Sequence, residues 1–131
     1  RRAAFAGVLA MEPEVLVLDE PAAGLDPKAR ESFLSMVARL HDEGLTVVMV
    51  SHNMDDLATL CDRIAVLSEG KLLMEGTPTE VFTRAAELNA VGLATTSPEH
   101  FANLLREGGL DVPRSGLATE ESLIAFLQEF L

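Results

Sequence analysis

Residues 15–27 read VLVLDEPAAGLDP, and the fold turns on how this stretch is read. Val15–Leu18 is an uninterrupted apolar run, the pattern of a buried strand covered on both faces. It delivers two adjacent carboxylates, Asp19 and Glu20, to its end. A carboxylate placed there is costly unless a metal, a phosphate-bound substrate or a cation compensates it. Pro21 and the small residues Ala22, Ala23 and Gly24 then make a turn. Asp26 is a helix N-cap residue with Pro27 at the first helical position.

The helix after Pro27 continues to about Glu43, with Phe33, Met36, Val37 and Leu40 at helical spacing as its buried stripe. Gly44 is placed to end it. Upstream, residues 3–11 read as the end of a helix stopped at Glu12-Pro13. Downstream, Thr46–Val50 (TVVMV) is a second β-branched strand, followed directly by Ser51, His52 and Asn53. A short helix over about Met54–Cys61 and a third strand, Arg63–Leu67, come next. Ser68–Lys71 reads as a hairpin turn into Leu72–Glu75, and a helix is expected from about Thr79 to Leu88. Val91–Ser97 has the composition of a linker. Pro98–Glu107 and Thr119–Leu131 read as two amphipathic helices with more apolar surface than they can hide between themselves.

Alternating strands and helices make a parallel sheet, and ligands of such sheets sit at the carboxyl ends of the strands. Asp19, Glu20, Ser51 and His52 all fall there. The expected fold class is therefore α/β, with parallel strands, an edge hairpin and a small helical C-terminal extension. His41 and His100 lie on predicted helices without partners and are read as structural. Asp55, Asp56 and Asp62 cap or decorate a short helix, with Arg63 pairing with one of these acids.

The chain has 131 residues, 48% hydrophobic, 24% charged and 5% aromatic, which describes a globular domain. Its net charge of −11 argues against nucleic acid as a partner and against docking on anionic lipid by charge alone. Cys61 is the single cysteine, so no internal disulfide forms, which suits a reducing compartment; it is read as a small hydrophobe. No stretch reaches the roughly 20 apolar residues of a membrane span.

Taken together, VLVLDEP, AGLDP and VMVSHNMDDL resemble the Walker B strand, D-loop and switch-histidine segment of an ABC-type ATPase nucleotide-binding domain. DRIAVLSEGKLLMEGTPTEVF resembles the strands and helix that close that fold. The broader stretch RRAAFAGVLAMEPEVLVLDEPAAGLDP and the tail, including LLREGGLDVP, are similar to the ATPase subunits of energy-coupling-factor (ECF) transporters, which import vitamins or cobalt and nickel ions. The resemblance implies a partial P-loop NTPase core over residues 1–90 and a helical extension over 91–131 that helps two ATPase subunits pair.

The resemblance also implies roles. Asp19 would hold Mg²⁺, Glu20 would act as general base on the attacking water, and His52 would contact the γ-phosphate of ATP. Gly24, Leu25 and Asp26 would lie at the dimer interface, and Ser51 beside the nucleotide. The implied partners are a second ATPase subunit, identical or different, and integral membrane subunits, on the cytoplasmic face of a bacterial or archaeal membrane.

A phosphate-cradling loop needs Gly, four residues, then Gly-Lys-Ser/Thr. The only Gly-Lys is Gly70-Lys71, with Ala65 at the first-Gly position and Leu72 after the lysine. By the resemblance, that loop and the signature loop would precede Arg1. The chain alone is then expected neither to bind nor to hydrolyse ATP. Two other readings stand beside this one: a non-catalytic dimerisation fragment, and an ABC-type ATPase of a non-transport process.

Overall fold

A computed structural model describes residues 2–130. Its elements are α1 (Arg2–Leu9), β1 (Val15–Asp19), α2 (Pro27–Asp42), β2 (Thr46–Val50), α3 (Met54–Leu60), β3 (Ile64–Ser68), β4 (Lys71–Gly76), α4 (Pro78–Phe82), α5 (Ala85–Ala90), α6 (Ser97–Glu107) and α7 (Glu120–Phe130). They fall into two compact units, residues 1–52 and 53–131.

In the first unit β1 and β2 pair in parallel, with Val15 opposite Thr46 and Asp19 opposite Val50. Each strand turns alternate residues inward. Leu16 and Leu18 join Phe5, Phe33 and Val37 in the core, with Val47 and Met49 packed against it. Phe5 and Phe33 meet edge-on at 5.1 Å between ring centroids. The expected α2 stripe is the observed one, since Met36 and Leu40 also pack on this core.

Both ends of α2 follow local chemistry. Asp26 accepts the N–H of Ala29 at 2.9 Å, and Pro27 opens the helix. At the other end, Gly44 takes φ +101°, while Gly44 N–H bonds His41 O and Leu45 N–H bonds Leu40 O. That paired arrangement needs a left-handed residue, which glycine supplies without strain.

One expectation fails here. Val15–Leu18 is not covered on both faces: Val15 is 51% exposed and Val17 67%. Their neighbours on β2, Val48 and Val50, are exposed as well.

The second unit closes around Ile64, Val66, Met74, Val81, Phe82 and Leu88, with Ala58 of α3 and Ala118 in the same cluster. β3 pairs with β4 in antiparallel fashion. This is the hairpin expected of the third strand and the turn at Ser68–Lys71. The turn uses Glu69 and Gly70 at φ +50° and +74°, the two left-handed residues of a tight hairpin.

The single helix expected over Thr79–Leu88 is broken into α4 and α5. Thr83 turns its hydroxyl back onto Thr79 O at 2.6 Å, and Arg84 leaves the helical region with ψ 46°. Nor is Val91–Ser97 a loose linker. Thr95 Oγ1 donates to Phe82 O at 3.0 Å, and Thr96 is fully buried as the N-cap of α6. Its small polar residues look like linker composition but serve as caps and packing contacts.

The last two helices, Ser97–Glu107 and Glu120–Phe130, begin within one residue of sequence expectation, the expected end of the second at Leu131 lying outside the described residues. Ala102, Val112 and Leu117 make a small core with Leu105, Leu123 and Phe126 against it. Arg106 locks this region, bonding Glu99 at 3.0 Å together with Asn103 and Pro113 O. Phe101, Leu104, Ile124 and Phe130 remain between 44% and 52% exposed. No helix among the described residues is long and apolar enough to cross a membrane.

Candidate functional site

Asp19 closes β1 on its exposed face, and Glu20 follows it off the strand. The Glu20 N–H still bonds Val50 O at 2.9 Å, so the residue stays tied to the end of β2. Its φ is +44°. A left-handed glutamate is uncommon and is retained where the surroundings over-determine it, often at a functional site. Glu12 and Glu20 each precede a proline and take positive φ.

His52 ends the neighbouring strand segment. Its Nδ1 lies 2.7 Å from Glu20 Oε1, and its backbone N–H donates to the same oxygen at 3.0 Å. Residues 32 apart in sequence are thus held together by two bonds on one carboxylate oxygen. The His52 side chain is 81% exposed and that of Glu20 36%. This is an open rim, not a buried ion pair, and the pair's own stabilising effect there is small. Ser51 lies half-buried between Val50 and His52.

The turn from Pro21 to Asp26 is fixed by Ala23 N–H to Glu20 O and Leu25 N–H to Ala22 O, at 3.2 and 3.3 Å. Gly24 sits at φ +72°, where a side chain would be strained. Leu25 packs on the core of this unit, and the Asp26 carboxylate is spent on capping α2. A groove of about 370 Å³ runs beside the carboxylates, lined by Phe5, Val8, Val17, Asp19, Glu20 and Pro21 among others.

The structure therefore brings Asp19, Glu20, Ser51 and His52 to one end of the parallel pair, with Gly24, Leu25 and Asp26 on the turn that leaves it. No cluster of three metal-ligating side chains forms among the described residues. Mg²⁺ keeps most of its waters and uses one or two protein carboxylates with substrate phosphates. Asp19, exposed beside Glu20, is the donor that fits.

Other sequence assignments resolve locally. Arg63 makes an ion pair with Glu75 at 2.8 Å across the hairpin, where the sequence had pointed to one of Asp55, Asp56 and Asp62. His41 Nδ1 lies 3.3 Å from Leu45 O at the end of α2. Burial pushes the Cys61 thiol up from its ordinary value, and the Asp62 carboxylate raises it further, so it behaves as a hydrophobe. Two features had no clear sequence signal: the grip of the His52 N–H on Glu20, and the two hydrogen bonds that Ser97 donates to the Asp55 carboxylate.

A family model described as "AAA domain, putative AbiEii toxin, Type IV TA system" matches residues 1–55. That stretch holds β1, β2, Glu20 and His52. The chain is 49% identical over 125 residues to the energy-coupling factor transporter ATP-binding protein EcfA2 of Symbiobacterium thermophilum, covering 95% of this chain and 43% of that protein. With the protein of the same name from Clostridium tetani it shares 42% identity over 131 residues, 99% of this chain and 46% of that one. Among solved structures, CbiO1 of Clostridium perfringens, described as part of the ABC transporter complex CbiONQ, matches with a TM-score of 0.59 and 34% identity. That match covers 80% of this chain and 41% of CbiO1. The chain thus spans less than half the length of these relatives.

Fold and relatives agree on the class: the chain closely resembles part of the nucleotide-binding domain of an ABC-type ATPase. More narrowly, it closely resembles the EcfA2 ATP-binding subunits of energy-coupling factor transporters.

Proposed function

We propose that the full-length protein is the ATP-hydrolysing subunit of an ECF-type importer of vitamins or of cobalt and nickel ions. In this reading it works on the cytoplasmic face of the membrane with a second ATPase subunit and integral membrane subunits. Residues 1–90 are its catalytic half-domain and residues 91–131 its pairing extension. The observation that carries the reading is the Glu20–His52 contact at the strand ends.

Hydrolysis of a phosphoanhydride needs a positioned water, a cation and charge stabilisation at the phosphate. Glu20 takes the proton of the water. Its Oε1 is committed to His52, so Oε2 is the oxygen that serves as base. An ionised Glu20 requires the hydrogen of that contact to sit on His52 Nδ1. Nε2 then carries a proton only in the imidazolium form, the form suited to meeting a γ-phosphate. Asp19 would hold Mg²⁺, which neutralises charge on the phosphates when bound. Gly24, Leu25 and Asp26 lie on the turn that faces the partner subunit's nucleotide, and Ser51 beside the chain's own.

The test uses the full-length protein. Glu20→Gln should keep ATP binding and lower kcat by about 10²–10⁴-fold, the usual scale of general-base loss. His52→Ala should impair turnover as well. Turnover at the wild-type rate in both variants defeats the assignment.

A second reading, pairing through the extension without catalysis by this chain, is favoured by the exposed apolar side chains of α6 and α7. Light scattering on the chain alone should then give a dimer that Leu104→Glu converts to monomer. An unchanged mass in that variant removes this reading.

A further inference from the structure

Asp55 is the second residue of α3, yet its carboxylate does not serve α3. The first turn of that helix is capped by Asn53, whose Oδ1 accepts the Asp56 N–H at 2.9 Å. The Asp55 carboxylate reaches α6 instead. Its Oδ1 accepts the Ser97 N–H and its Oδ2 the Ser97 hydroxyl, both at 2.8 Å. Both helices belong to the second compact unit.

The start of α6 shows what this contact supplies. A helix leaves the N–H groups of its first turn without intrahelical partners. Thr96, the N-cap, takes the Glu99 N–H on its hydroxyl at 3.4 Å and the His100 N–H on its carbonyl at 2.9 Å. Pro98 has no N–H to place. The Ser97 N–H remains, and Asp55 accepts it from 42 residues away in sequence. A carboxylate there also meets the positive end of the α6 dipole. Ser97 is exposed, so water could satisfy the same N–H, but water would not tie α6 to α3.

With seven residues, α3 is too short to persist without packing. Met54, Leu57, Ala58 and Cys61 place it on the hairpin core. The chain leading into α6 is fastened to the same core: Leu93 packs there, and Thr95 Oγ1 donates to Phe82 O at 3.0 Å. Beyond α6, Ala118 is part of that core as well.

We propose that Asp55 is a positioning residue for α6: a clasp between two helices of one unit that makes them move as a single body, leaving no hinge between α3 and the start of α6. The clasp stands on contacts of the second unit alone. One consequence rests on the pairing reading given above. The exposed apolar side chains of α6 then keep a fixed attitude to the hairpin, and pairing depends on a carboxylate of α3.

Hydrogen exchange on the whole chain tests the clasp. Ser97→Ala leaves the sequence of α3 untouched and removes one of the two bonds. The amides of Leu57 and Cys61, bonded to Asn53 O and Leu57 O, should then exchange about threefold to thirtyfold faster, together with those within α6; the scale is that of a lost helix cap. Amides paired between β3 and β4 should keep their rate. Ser97→Thr, which retains the hydroxyl, should restore protection. Asp55→Asn, which can accept the Ser97 N–H and donate to its hydroxyl, should match the wild type. Acceleration confined to α6, equal acceleration of α3, α6 and the hairpin, or no change overturns the clasp, as does a failure of Ser97→Thr to restore protection.

Light scattering over a dilution series reads the consequence for pairing. Asp55→Ala should raise the dimer dissociation constant about threefold to tenfold, the scale of coupling through a contact network. An unchanged constant beside faster exchange overturns that consequence. A wild-type chain that is monomeric throughout defeats the pairing reading instead, and the exchange result decides the clasp on its own.

Discussion

The two units solve the same problem to different degrees. The hairpin unit wraps Val81, Phe82 and Leu88 until each is 1% exposed. The strand unit buries Leu16 and Leu18 but leaves Val15, Val17, Val48 and Val50 in solvent. Yet the chemistry-bearing rim belongs to the strand unit. A parallel pair places side chains at its strand ends whether or not both faces are covered, because hydrogen-bond register, not burial, fixes those ends. Positioning and burial are separable here, and the comparison can be tested from both sides.

The largest effect belongs to the closed core. Phe82→Ala should cost about 3–5 kcal/mol, the range for deleting a buried aromatic ring. Chemical denaturation monitored in the second unit would check it, and a cost below about 1 kcal/mol would show that this core is looser than its burial indicates.

An intermediate effect is tied to pH. Glu80 completes a capping box with Thr77, accepting its N–H at 2.8 Å while Thr77 Oγ1 accepts the Glu80 N–H. The bonds from Thr77, backbone first, hold the Glu80 carboxyl below the ordinary 4.5. A depressed folded pKa adds stability above the unfolded value, and that stability disappears as pH falls through the folded one. Wild type should therefore be more stable than Glu80→Gln at neutral pH, and the gap should close on acidification below about 4.5, the ordinary glutamate value. Thermal midpoints of the two proteins against pH would measure it.

The smallest effect belongs to the open face. Val17→Thr keeps a β-branched residue on a strand at a position that is 67% exposed, so its stability should change by less than about 0.5 kcal/mol. A large loss would mean that the face is covered in solution.

Much of this was legible because the deciding signals are local. Asp26-Pro27 caps and opens α2, Gly44 closes it, and Glu69-Gly70 makes the hairpin turn; each acts within a few residues. The meeting of Glu20 and His52 followed from two strands in parallel, a topological inference and not a local one. What escaped was decided by tertiary partners. Nothing near Thr83 announces that its hydroxyl will turn back on the helix, and nothing in Val91–Ser97 announces that Thr96 will be buried.

The double grip of His52 on a single oxygen of Glu20 has a consequence for the amide variant of that residue. An amide is not symmetric as a carboxylate is. The His52 backbone N–H demands the carbonyl end of a glutamine, because the amide end carries only hydrogens. The NH₂ is thereby steered to the opposite side, where Glu20 would offer a lone pair to water. Glu20→Gln thus does more than discharge the rim: it swaps an acceptor for a donor at the one atom the reaction would use.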